Sequence, residues 1–261
     1  MRTAPLGSLT VDELRIEDEG ALRGVALYAD LKEILRRARY PFRVLPTLHG
    51  SRWDRALFLN LTYWNATAGQ DVLADRHLGA DVVAHVAWHH LAAKALGAAS
   101  PDAMFLGESI ASAFDLYLVG SLLGWPGRSS FLETQVPAMA DATRAAGLSA
   151  RGFERLLRDV ARDPERAFGD LRALLFDATR ALHGCATARR AHVAFARLDG
   201  HRFGPLLHHY ELSNWLLFAR AHGRANATAD ARARDVDRAL TRAKRPLEWL
   251  GSQWVTPALA R

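Results

Sequence analysis

A chain of 261 residues that is 49% hydrophobic can bury a sizeable core and should fold unaided, and its one cysteine, Cys185, excludes an intramolecular disulfide framework. The formal charge of +6 is carried almost wholly by arginine, with lysine only at Lys32, Lys94 and Lys244. The arginines alternate with acids along helical patterns such as RLLRDVARDPERAFGDLR, which reads as solvated helix faces rather than a nucleic-acid surface, so nucleic acid is not an expected partner.

The opening stretch MRTAPLGSLTVDELRIEDEG carries charge where a signal peptide needs an apolar core. No segment reads as reaching the roughly 20 apolar residues of a membrane span, so no membrane partner is expected. Together with the lone thiol, this makes a reducing cytoplasm the expected location.

In chain order, TVDE at Thr10 to Glu13 has the form of a capping box and marks a helix start. ALRGVALYADLKEILRRARYP follows as a second helix, with Val25, Leu27, Leu31, Ile34 and Leu35 near one face and Pro41 as its stop. From Phe42 to about Leu73 the composition turns to Phe, Tyr, Thr, Val and Leu in FRVLP and RALFLNLTYWNAT, which predicts two or three strands. After Ala80 the helical period holds, with helices near 81–97, 107–123, 131–146, 149–161, 164–183, 187–198, 205–222 and 228–244. Asp163 before Pro164 marks a capped start, and Gly184 and Gly223 stand where left-handed C-caps are usual. The expected architecture is a mainly α-helical α+β fold, with a small sheet at about residues 42–73 preceding the helix of His85. It forms one domain over 1–261, with 1–80 and 81–261 as a finer division. In the last helix, Ala229, Ala233, Val236, Leu240 and Ala243 form a narrow seam, a candidate surface for docking on the domain or on a second copy of the chain.

The stretch AHVAWHHLAAKAL places His85 and His89 one helical turn apart in an otherwise apolar helix. Imidazoles at i and i+4 leave a helix on the same side and can grip one metal ion. Eighteen residues after His89 comes Glu108, in GESIASAFDLYLVG, where Glu108, Ser112 and Asp115 form a polar stripe at i, i+4 and i+7. Two apolar helices each bury a polar stripe, and that is costly unless the stripes satisfy each other or a metal. Facing one another, they offer two imidazoles and a carboxylate as ligands and a further acid to orient a ring N–H. Packed imidazoles hydrogen-bonded to Glu108 and Asp115 are the alternative reading of the same residues.

His85-x-x-x-His89, with Glu108 in GESIAS, resembles the gluzincin zinc metallopeptidases, including the thermolysin-like enzymes, over about 35 residues from Val82 to Asp115. The resemblance implies that His85, His89 and Glu108 are the metal ligands. It also implies that Ser112 stands where thermolysin-like members carry an aspartate behind the ligands, with Asp115 one turn later able to take that role. The departure is Val86, which replaces the glutamate of H-E-x-x-H. Peptide hydrolysis at such a site needs a carboxylate to move the proton of the attacking water, and valine cannot do so. Gluzincins often draw a transition-state His or Tyr from a downstream helix, and by that analogy His208, His209, Tyr210 and Glu211 are the candidate catalytic cluster.

Three functions are open at this level. One is a zinc protein acting as a metal-dependent hydrolase on a peptide or small-molecule substrate, with a relocated base. The second is a catalytically inactive helical binding protein on a peptidase-like scaffold, and the third is a non-haem iron enzyme, since two imidazoles and a carboxylate with open positions also suit iron.

Overall fold

The computed structural model describes residues 6–45, 62–64, 69–73, 75–97, 100–198 and 200–260. Strand β1 (Gly7–Leu9) is followed by a single 3-10 turn, Val11–Glu13, and strand β2 (Arg15–Glu17). The capping box is present, with the Thr10 N–H donating to the Glu13 carboxylate at 2.7 Å, but it closes one turn rather than opening a helix. The chain turns into strand two residues later, so the cap has no apolar helical face to lead into. Helices α1 (Glu19–Leu22) and α2 (Tyr28–Arg37) come next, and α2 buries Tyr28, Leu31, Ile34 and Leu35.

Strands β3 (Phe42–Val44), β4 (Thr62–Trp64) and β5 (Gly69–Leu73) occupy the region expected to be a sheet. They form a four-stranded mixed sheet in the order β1-β3-β5-β4, and β1 joins its edge antiparallel to β3 with Leu9 opposite Phe42. The RALFLNL part of the second expected strand lies outside the described residues. Strand β6 (His77–Gly79) pairs in parallel with β2, Ile16 opposite Leu78, and runs directly into the helix of His85.

That helix is α3 (Ala80–Leu96), and the remainder of the chain is helical: α4 (Pro101–Leu122), α5 (Ser130–Ala145), α6 (Ala150–Arg162), α7 (Pro164–His183) and α8 (Ala188–Ala196). A 3-10 segment (Gly204–Tyr210) precedes α9 (Leu212–His222) and α10 (Ala227–Arg242), and the chain closes with α11 (Pro246–Leu250), a π turn (Gly251–Val255) and α12 (Thr256–Leu259). The fold is therefore mainly α-helical α+β. Ser100, Ser129, Ser149, Asp163, Thr187 and Asn226 each cap a helix by accepting a backbone N–H, which explains the sharp starts of α4 to α8 and α10.

Two expectations change. Gly184 is right-handed helical and Gly223 is extended, so neither is a left-handed cap. The expected helix over 205–222 is broken at Glu211, whose positive φ of 46° separates the 3-10 segment from α9. The α10 seam meets one of the two expectations for it, docking within the chain on α4, with Ala229, Ala233 and Leu240 buried.

Helix α4 is the centre of the molecule. Its 22 residues are long and apolar enough to cross a membrane by composition, which the sequence does not lead one to expect, but 78% of that window is buried inside the protein. Helices α3, α6, α7 and α10 cover it, and Ile110, Ala111, Phe114 and Leu118 have no exposed surface. A helix apolar all round is what a fully surrounded position selects.

Candidate metal centre

Helix α3 buries Val83, Ala84, Ala87, Trp88 and Leu91, which fixes its rotation and leaves His85 and His89 on the side towards α4. Trp88 is locked edge-to-face on Phe114 of α4, their rings 5.5 Å apart. Gly107 sets how closely the two helices approach: a Cβ there would stand 3.2 Å from the Cβ of Ala92 and 4.0 Å from Nδ1 of His89. The next residue, Glu108, consequently reaches both imidazoles.

His85 Nε2 and His89 Nε2 are 3.1 Å apart, His89 Nε2 is 3.1 Å from Glu108 Oε2, and His85 Nε2 is 3.6 Å from Glu108 Oε1. A tetrahedral zinc with bonds of 2.0–2.1 Å has ligand–ligand edges of about 3.3–3.4 Å, and these separations, two of them to different oxygens of the Glu108 carboxylate, are of that size. The donor atoms of the three residues all lie within 4.8 Å of one another. Behind them, Asp115 Oδ2 is 3.0 Å from His85 Nδ1. An ionised carboxylate only accepts, so Nδ1 carries a hydrogen, and the ring offers its Nε2 lone pair to the cluster once Nε2 has lost its proton. Ser112, buried beside them, makes a longer contact by donating to Glu108 Oε1 at 3.4 Å.

The cluster is half-buried and open on one side: His89 keeps 38% of its side-chain surface, and Glu108 27%. Trp88 and Leu96 are sealed in the core. Burial would raise the Glu108 pKa, but His89 and His85 outweigh burial and hold it well below the usual carboxylate range. Burial likewise disfavours a charged His85, yet Asp115 and Glu108 raise its pKa well above the ordinary imidazole value.

The downstream cluster divides. His208 and Glu211 are exposed, the first beside the Phe195 ring and the second accepting a hydrogen bond from Asn214 at 2.6 Å. His209 and Tyr210 lie within the electrostatic reach of Asp115: burial lowers the His209 pKa against the pull of Asp115 and Glu211, while burial and then Asp115 raise that of Tyr210. The Tyr210 hydroxyl and Asp115 Oδ1 are both buried without a hydrogen-bond partner. Neither His209 nor Tyr210 makes a hydrogen bond or ion pair with His85, His89 or Glu108. His77, at the start of β6, is exposed and paired with Asp75 at 3.2 Å, and His49 lies outside the described residues.

One acid escaped the sequence reading. Asp81 is one turn before His85 on α3, and burial followed by the charge of Asp115 pushes its pKa up to about 6. The i−4 spacing from His85 was the available signal, but an acid in the first turn of a helix reads first as a helix-start residue. Gly107 gave no local signal, because its role depends on the opposing Ala92.

No protein-family model, no curated protein and no solved structure matches the chain.

Proposed function

We propose that the chain is a metal-binding protein whose ion, zinc by its donor set, is held by His85, His89 and Glu108 at a gluzincin-like site. The observation that carries this reading is that the two Nε2 atoms lie 3.1 Å apart and come within 3.1 and 3.6 Å of the two Glu108 carboxylate oxygens, in a half-buried cluster. Two imidazoles and one carboxylate with a free position form the donor set of hydrolytic zinc centres, and zinc there would supply Lewis acidity and make water more acidic.

In this reading Asp115 fixes the His85 tautomer and ring plane, and Ser112 steadies Glu108. Val86 leaves the metal without an adjacent carboxylate on α3, so hydrolysis would need a proton acceptor elsewhere in the site. Asp81 and His209 are the groups around Asp115 from which that acceptor would come, while Tyr210, kept protonated by burial, could only donate.

A direct test compares zinc-loaded chain, chelator-stripped chain and His89→Ala on a panel of activated esters and short peptides. Turnover by the loaded form alone, restored to the stripped chain by zinc, is expected. No turnover by fully loaded protein would leave metal binding standing and remove the hydrolase reading in favour of a binding role. The same donor set accommodates Fe(II), and the identity of the metal carried by protein as isolated separates the two.

A further inference from the structure

The arginine-rich stretch ending in GDLR reads as solvated, and most of it is: Arg162 pairs with Asp159 and Arg166 with Asp170 on the surface. Arg172 is the exception, with 1% of its surface exposed in the middle of α7. Its Nη1 is ion-paired with Asp237 of α10, and its Nη2 donates to Thr241 Oγ1 at 3.0 Å. Its Nε is buried with no partner in the protein. A buried guanidinium with an unmet N–H is costly, and such groups ordinarily find an acceptor.

Arg172 lines a cavity of about 480 Å³ between α7, the end of α10 and the turn Ala243–Pro246 that leads into α11. That volume lies in the range of small-molecule sites. Three acids line it, and each is engaged. Asp163 accepts the Arg166 N–H at 3.0 Å, Glu165 accepts the Leu247 N–H at 2.7 Å, and Asp170 pairs with Arg202 at 2.7 Å. On the basic side, Arg245 pairs with Glu248 at 2.7 Å and Arg166 reaches Asp170 only at 3.8 Å. Lys244, exposed at the rim, has no ion pair among the described residues. The cavity thus presents surplus donors while its carboxylates are already occupied.

We infer that this cavity binds a small oxyanionic molecule, a phosphate or a carboxylate, drawn in by the charge of the buried Arg172 guanidinium in its wall and held at the rim by the Lys244 ammonium. Arginine suits such a site because its guanidinium stays charged even when buried. The ligand would tie the α10–α11 turn to α7. The site is separate from the His85 cluster and does not depend on the metal reading.

The test titrates full-length chain with inorganic phosphate and, separately, with succinate, at constant ionic strength in chloride, by calorimetry and thermal denaturation. Both zinc-loaded and chelator-stripped protein are used, so that anion capture by the metal is recognised. Saturable one-to-one binding is expected in the stripped protein, with a melting temperature that climbs with ligand concentration. Lys244→Glu should weaken binding at least ~tenfold, while Arg220→Glu, at an exposed arginine outside the cavity, leaves it unchanged. Tighter phosphate binding assigns a phosphate ester, and tighter succinate binding a carboxylate. The inference is overturned if folded protein shows no saturable binding to ~10 mM of either probe, if Lys244→Glu binds as wild type does, or if binding requires zinc.

Discussion

Asp115 Oδ2 lies 3.0 Å from Nδ1 of His85, at the opposite end of the ring from the Nε2 that faces His89 and Glu108. The pair joins a carboxylate on α4 to an imidazole on α3 and leaves the coordinating nitrogen free of its proton in the neutral ring. Replacement by Asp115→Asn keeps the shape and removes the charge that orients the ring. Zinc affinity should fall about 10–100-fold, as measured by competition with a chromophoric chelator, with the helical circular dichroism spectrum retained. Unchanged affinity would mean that His85 is held by packing alone.

Metal and proton compete for His85. Its raised pKa means that metal-free protein holds a proton on this ring at neutral pH, in charge-assisted contact with Asp115 and Glu108. Zinc must displace that proton, so affinity should drop roughly tenfold per pH unit below the folded-state pKa of His85. Calorimetry in buffers of different ionisation enthalpy should show about one proton released per zinc bound near neutral pH. Binding without proton release would contradict the ligand role of His85.

Asp81 makes metal-free stability depend on pH in a defined direction. Its folded pKa of about 6 lies above the ordinary 3.8, so its protonated form is favoured by folding. The stability it contributes is complete below the unfolded value and is lost as pH rises through about 6. Asp81→Asn, which cannot ionise, should therefore melt higher than wild type above that pH, with the difference shrinking to nothing in acid. A constant offset across the pH range would show that the carboxylate is not held in its buried, protonated form.

The approach of α3 to α4 depends on Gly107, where a methyl group would meet the Ala92 Cβ at 3.2 Å. Gly107→Ala should be tolerated with a small shift of the helices. Gly107→Leu should cost about 1–3 kcal/mol in denaturant unfolding and weaken zinc binding, because spreading the helices withdraws Glu108 from the imidazoles. Wild-type affinity in the leucine variant would show that the helix spacing does not set the cluster.

Long, strongly periodic elements were legible in the sequence: α5 to α7 fall where the apolar period and, for α7, the Asp163 cap put them, while α4 starts at Pro101, ahead of the expected 107. The facing stripes of His85, His89, Glu108 and Asp115 were also legible, because 3.6-residue periodicity projects them onto one side of each helix. Strands β1, β2 and β6 were not. Each has three residues, and its partner is distant in the chain, as in Ile16 opposite Leu78, so no local pattern announces it. The break at Glu211 was hidden for a different reason: a left-handed residue between two helical segments leaves the hydrophobic period on either side intact. Arg172 was misread because its partner Asp237 sits 65 positions away on another helix. Charge patterns along one helix do not reveal such a contact.

The most direct test of the central claim is the metal content of untagged protein purified without added metal, by elemental mass spectrometry, beside the His85→Ala/His89→Ala double variant. The account predicts about one zinc per wild-type chain and none in a folded double variant. Folded wild type that carries no metal and takes up neither zinc nor iron when offered would contradict it, and His85, His89 and Glu108 would then be a hydrogen-bonded cluster between two core helices.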